Sequence, residues 1–190
     1  IPDRTLGKRS RLISTAHQKN VLTRALPMRH VRLIALTIAL ALLPGYALAL
    51  PSGVQPVDFA SGTVIIHTRH GMTHRLNVEI AESEAQRERG LMYRTSIPAE
   101  SGMLFVYSTA QIGGFWMFNT WIPLTVAYAG ADGVIFQITD MSPCQSPSAT
   151  ICEQQNYPAL APFYYALEVN RGFLAERGIG IGDRIAFRRE

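Results

Sequence analysis

The chain has 190 residues, which suits one domain of ordinary size. Its formal net charge of +4 is unevenly spread: residues 1–49 carry +7 and residues 50–190 carry −3. The basic balance lies outside the segment long enough to fold, which excludes a basic nucleic-acid footprint from that segment.

Residues 1–27 show no hydrophobic periodicity, and the chain begins with Ile1 rather than Met. From Met28 the pattern is that of a secretory signal. Arg29 and Arg32 form a charged opening, and Leu33–Leu43 is an apolar run broken only by Thr37. Pro44 and Gly45 end that run, and Ala47-Leu48-Ala49 has the form of a cleavage site. An uncleaved anchor is the alternative, but the run is short of the roughly 20 apolar residues a span requires. Residues 28–49 are therefore expected to be a cleaved signal, which leaves Leu50 as the new terminus and no transmembrane span. A signal acts at a true N-terminus, so 1–27 is set aside as an over-extended reading frame or a disordered arm. The expected destination is periplasmic or extracellular.

Leu50–Ser61 is rich in Pro, Ser and Gly and reads as a linker, with a single domain over 62–190. Val64–Thr68 and Arg75–Ala81 read as a hairpin around His70-Gly71-Met72. A three-residue loop would pair Ile66 with Leu76 and Val64 with Val78. In that register His67, His70 and His74 do not converge, so no metal site is expected from them. Ser83-Glu84-Ala85-Gln86 has the form of a capping box, which predicts a helix from about Glu84 to Arg89 stopped by Gly90.

Met103–Tyr107 has the length of a strand. Gly113–Pro123 is the densest aromatic run and holds both tryptophans, Trp116 and Trp121. Phe115–Thr120 within it reads as a strand covered on both faces, because both alternating sets are mostly apolar. Leu124–Ala129 and Val134–Thr139 read as strands joined by a turn over Gly130–Gly133. Met141–Pro162 reads as one long loop. It contains Cys144 and Cys152, an even pair that reads as a disulfide in an oxidising compartment. A metal or redox site is the rival reading, against which stand the absence of a C-x-x-C spacing and of a nearby His. Tyr164–Asn170 reads as a strand with Leu167 and Val169 toward the core and Glu168 and Asn170 on the opposite face. Asn170 is expected to cap a helix near Arg171–Arg177, and Arg184–Phe187 reads as the last strand. About eight strands, two short helices and no alternation of strand with helix predict a mainly β, mainly antiparallel sandwich or partly open barrel.

Several blocks of this chain resemble the family called domain of unknown function 192. They are ERGLMYR (Glu88–Arg94), GMLFVY (Gly102–Tyr107), FWMFNTWIPL (Phe115–Leu124), YALEVNRG (Tyr165–Gly172) and GIGIGDRI (Gly178–Ile185), together with the Cys144 loop. The resemblance covers about 75–185. It implies a small, mainly β fold, often exported, with no established activity. The family pattern places a lysine where this chain has Phe118 and an aspartate where it has Thr125. If that charged pair does chemistry in relatives, it is lost here. If it is a structural ion pair, uncharged replacements can be neutral or stabilising, and this reading is preferred.

No nucleophile elbow, phosphate-binding loop or zinc motif occurs, so no cofactor is implied. The polar residues that stand out are Arg94, Asn119, Thr120, Glu168 and Asn170, with Trp116 as the aromatic neighbour. Amide and carboxylate groups beside an aromatic face suit a small polar ligand. The plainer account makes them satisfied structural groups, with Asn119 tying a bulge, Asn170 capping and Glu168 paired with an arginine. Three function classes follow. The first is an exported, non-catalytic module that binds a small polar ligand, an envelope glycan or a protein partner. The second is a hydrolase or lyase with Glu168 as general base, oriented by Asn170. The third is a structural envelope protein whose Cys144–Cys152 loop is its contact surface.

Overall fold

A computed structural model describes residues 55–190; the expected signal at 28–49 and the segment before it lie outside the described residues. Nine strands and three short helices follow in order. They are β1 (Ala60–His67), β2 (Thr73–Ala81), α1 (Glu84–Arg89), β3 (Ser101–Gln111), β4 (Gly114–Phe115), β5 (Leu124–Ala129), β6 (Ile135–Met141), α2 (Ala149–Gln154), β7 (Tyr157–Pro158), β8 (Phe163–Asn170), α3 (Phe173–Glu176) and β9 (Arg184–Arg189). Seven strands form one sheet in the order β6-β5-β8-β3-β2-β1-β9, and β4 pairs with β7 separately. All pairs are antiparallel except β2 with β3, whose parallel crossover carries α1. No helix among the described residues is long and apolar enough to cross a membrane.

The sheet curls until its two edge strands meet at one end. Val134 bridges Arg184, Ile135 N–H donates to Asp183 O at 2.8 Å, and Gly182 N–H donates to Ile135 O at 2.7 Å. Gly133 makes that approach possible: its φ is +79°, and a Cβ there would stand 2.2 Å from Ile185 O. The fold is thus a partly open barrel, with the seam closed only beside the β5–β6 turn.

Alternation along the central strands divides the apolar residues between two faces. Leu104, Ala127, Leu167 and Val169 point into one cluster with Val64, Ile66, Leu76, Val78 and Ile185. Met103, Phe105, Val126, Tyr128 and Ala166 point into the other, with Leu91, Met117, Ile122 and the two cysteines. Every residue of β5 is buried, so β5, not the aromatic run, is a strand covered on both faces.

Three local expectations need correction. The β1–β2 hairpin pairs Val64 with Leu76 and Ile66 with His74, because its loop spans five residues, 68–72, rather than three. The shift preserves the faces, so the apolar match alone did not distinguish the two registers. His67 now faces Thr73, whose Oγ1 lies 3.3 Å from His67 Nδ1, while His74 takes the core face. The stretch 115–120 is not a strand beyond Phe115: Asn119 has φ +51° and ends any extended run. Asn170 does not cap α3, whose N-cap is Gly172. Its side-chain amide instead donates to Ile97 O and Pro98 O at 3.3 and 3.2 Å, tying the end of β8 to the loop before β3.

Elsewhere the local chemistry holds. The Ser83 hydroxyl accepts from Gln86 N–H and the Gln86 side chain accepts from Ser83 N–H, so the capping box sets the start of α1. Cys144 and Cys152 form a disulfide with a Cα–Cα distance of 5.7 Å. The loop around it is not loose: it contains α2, Cys152 is buried, and Tyr157 packs against the second cluster. Strand β1 begins at Ala60, inside the expected linker, and the residues before it dock on α1. Arg89 Nη2 donates to Gln55 O at 2.5 Å and Gln86 Nε2 donates to Asp58 O at 2.8 Å.

Candidate functional site

The second face of the sheet carries the polar groups. Glu168 is flanked by Met103 of β3 and Val126 of β5, so it projects from the middle of three central strands. It is only 4 % exposed. No described residue donates a hydrogen bond to its carboxyl group, and no arginine among them pairs with it. Burial alone pushes its carboxyl up to about 8, so Glu168 is mostly protonated at neutral pH. The sequence reading placed Glu168 away from the core; here that side is a second core, closed by α1 and the aromatic run. Gly102 lets β3 run close to β8 here, because a Cβ on it would stand 2.4 Å from Glu168 O.

Glu168 lines a small cavity of about 30 Å³. Around it are residues 87–92, Phe105, Phe115, Trp116 and Thr120. Thr120 is buried, and its hydroxyl donates to Phe118 O at 3.2 Å. Two tyrosines stand near the same strand. Burial raises Tyr107, with Arg87 opposing and Glu168 adding to the rise, and burial is also the main cause of the upward shift at Tyr128.

Above the cavity, and sharing Glu88, Arg89, Met92 and Trp116 with it, opens a groove of about 460 Å³. Trp116, Phe118, Tyr93 and Asn119 line it. Trp116 and Phe118 lie with ring centres 5.5 Å apart. Tyr93 and Asn119 are the two non-glycine residues among those described with positive φ, at 66° and 51°. They hold each other: Tyr93 N–H donates to Asn119 O at 2.7 Å, and Asn119 Nδ2 donates to Tyr93 Oη at 2.8 Å. For a bulky tyrosine that backbone conformation is strained by roughly 1–3 kcal/mol, and the reciprocal bonds offset the cost. Behind this pair, outside the groove lining, Trp121 stands edge-on to Tyr93 at 6.2 Å.

Of the residues singled out in the sequence, Trp116, Asn119, Thr120 and Glu168 come together around the groove and its cavity. Arg94 lines an adjoining hollow of about 380 Å³ together with Phe59, over whose ring it lies, and it pairs outside that hollow with Glu79 at 2.5 Å. Asn170 belongs to neither space and cannot orient Glu168. Tyr93 was missed. It sits in the ERGLMYR block, but no periodicity marks a tyrosine with left-handed backbone. Phe118, noted only as a departure from the family pattern, turns its ring into the groove. At Thr125 the hydroxyl donates to Asp140 Oδ1 at 2.6 Å across the β5–β6 pair, so a carboxylate still stands beside that position. Among the described residues no three His, Cys, Asp or Glu side chains are grouped to hold a metal ion.

A family model, DUF192 ("Uncharacterized ACR"), matches residues 65–187, and the chain belongs to this family. Two solved structures are similar. One, from Sinorhizobium meliloti 1021 and titled a "putative transcription regulator", is 33 % identical, with a TM-score of 0.62, over 70 % of this chain and 98 % of that one. The other, a protein of unknown function from Novosphingobium aromaticivorans DSM 12444, is 31 % identical, with a TM-score of 0.57, over 65 % of this chain and 83 % of that one. Among curated proteins none matches.

Proposed function

We propose that this member of the DUF192 family is an exported binding module that takes a small polar ligand in the Trp116–Phe118–Asn119–Tyr93 groove. The observation that carries the reading is the reciprocally bonded pair of left-handed residues, Tyr93 and Asn119, which line a groove beside Trp116 and Phe118. A preformed concave site of about 460 Å³ is within the range of small-molecule sites. The aromatic faces match the apolar side of a ligand such as a saccharide, and the Asn119 carboxamide and backbone N–H groups match its hydroxyls. Export is supported by the signal-like segment 28–49 and by the Cys144–Cys152 disulfide, which persists in an oxidising compartment.

The test is a tryptophan-emission titration with a panel of mono- and disaccharides. A saturable shift in the wild type, lost in Asn119→Ala, supports the reading. A flat response across the panel, or a wild-type response in Asn119→Ala, counts against it.

A hydrolase or lyase with Glu168 as general base is the second reading, favoured by one observation: the buried carboxyl borders a cavity that shares four lining residues with the groove. Asn170 takes no part in it. Turnover of a glycoside or ester panel that disappears in Glu168→Gln would move the assignment to this reading. The regulator title of the Sinorhizobium protein is weakly supported for this chain, since residues 50–190 carry −3. A purely structural envelope role would use the disulfide loop, where Ile151 and Leu160 are exposed.

A further inference from the structure

We infer that the Glu168 cavity is a subsite for the primary ammonium group of the ligand. This inference rests on the groove reading above and adds a chemical class, an amine-bearing polar ligand. Three features converge. Glu168 is a carboxyl group buried in the centre of the sheet, with no donor among the described residues. A buried carboxylate is stable only when something supplies charge and hydrogen bonds to it. The cavity it borders, about 30 Å³, exceeds the roughly 10–15 Å³ that one water-sized group needs, so it has room for an –NH₃⁺ head. Phe105, Phe115 and Trp116 line that space, and their faces attract a cation, tryptophan most strongly. The Thr120 hydroxyl, whose proton goes to Phe118 O, keeps an oxygen lone pair for an ammonium N–H.

The charged groups around the cavity leave room for a cation. Arg87 and Arg89 line it, but their guanidinium groups are engaged elsewhere. That of Arg87 lies over the Tyr107 ring, and that of Arg89 lies over Tyr93 and bonds Gln55 O. Glu88 adds a negative charge on the same side. Tyr107 on β3 and Tyr128 on β5 stay neutral, since burial raises both. An arriving ammonium group requires the ionised form of Glu168, whose proton passes to solvent on binding. Burial holds the free carboxyl near 8, so affinity rises with pH below that value and levels above it.

Methylammonium chloride is the probe, titrated into full-length protein carrying Trp121→Phe, with Trp116 emission as the readout. Sodium chloride and methanol serve as controls for ionic strength and for a neutral head. The expected result is saturable binding of methylammonium alone. Its affinity should increase close to tenfold per pH unit between about pH 6 and pH 7, and fall at least about tenfold in Glu168→Gln. Because Glu168→Gln alters a buried group, its thermal midpoint is measured alongside, and the wild-type pH dependence stands as an independent readout. Methylammonium that binds no better than methanol overturns the inference. So does an affinity that falls with rising pH, which would assign a neutral acid donating to a ligand acceptor. If saccharides still shift Trp116 while methylammonium does not, the ammonium subsite fails and the groove reading stands. If methylammonium binds and no saccharide does, the groove reading fails alone.

Discussion

The two faces of the curled sheet are built from neighbouring residues of the same strands, yet they differ in kind. On one face Leu104, Leu167 and Val169 close against β1, β2 and β9, and the packing is apolar but for His74 on β2, whose Nε2 is buried without a partner among the described residues. On the other, alternate residues of those strands meet Leu91 just after α1, the aromatic run and the disulfide loop. There lie Glu168, the tyrosines, the strained Tyr93–Asn119 pair and the groove. One face therefore supplies stability, and the other uses some of that stability to hold groups that folding alone does not need. A lone buried acid and two non-glycine residues with left-handed backbone survive only where the surrounding packing over-determines them.

That contrast can be broken at graded cost. The largest effect is expected on the apolar face. Leu167→Ala removes a fully buried side chain and should destabilise the domain by roughly 2–5 kcal/mol in denaturant melts. It should leave the tryptophan response to groove ligands unchanged wherever the protein remains folded. Next comes Glu168. Burial lifts its folded value to about 8 from an ordinary 4.5, so between those values the folded state holds a proton that the unfolded chain has released. Stability contributed by the neutral acid is thus fully present below about 4.5 and is lost as pH rises through about 8. Glu168→Gln should flatten that decline and be the more stable protein at pH 9, by an amount of the order of a few kcal/mol. A wild-type profile that does not fall across this window would show that the carboxyl is already paired.

Cys144→Ala with Cys152→Ala opens a short loop and should cost about 2–3 kcal/mol. Since Cys152 and Tyr157 pack in the second cluster, it should also weaken the groove. The smallest effect is expected at Asn119. Asn119→Ala loses the bond to Tyr93 Oη and places alanine at φ +51°, for a cost of about 1–2 kcal/mol. Asn119→Gly keeps the backbone and loses only the bond, so it should lie between alanine and wild type. If glycine and alanine are equal, the left-handed backbone contributes nothing to the wall.

Much of the frame was legible in the residues themselves. Ser83 and Gln86 announced α1 to the residue, Leu124–Ala129 was bounded correctly as a strand, and the cysteine pair was read as the disulfide it forms. These are local signals, set by capping, alternation and the even pair of cysteines. What was not legible depends on the far side of the sheet. Alternation in β8 separated Glu168 from Leu167 correctly, but nothing local says that the second face is also covered. The aromatic run looked like a covered strand because its apolar content is high on both alternating sets. Its true path is decided by Asn119, whose left-handed backbone is stabilised by Tyr93, a residue 26 positions earlier. Asn170 followed helix-capping chemistry on paper and was taken instead by the carbonyl groups of Ile97 and Pro98.

The central claim, that the Glu168 face binds ligand while the opposite face only stabilises, is tested most directly by chemical-shift mapping on ¹⁵N-labelled protein. A panel of neutral and amino saccharides would be added in turn. The account predicts that perturbations gather at the Trp116 indole N–H, the Asn119 side-chain amide and residues 88–92, with the amino sugars giving the larger shifts. Perturbations confined to β1, β2 and β9, or a groove silent to every compound, would contradict it.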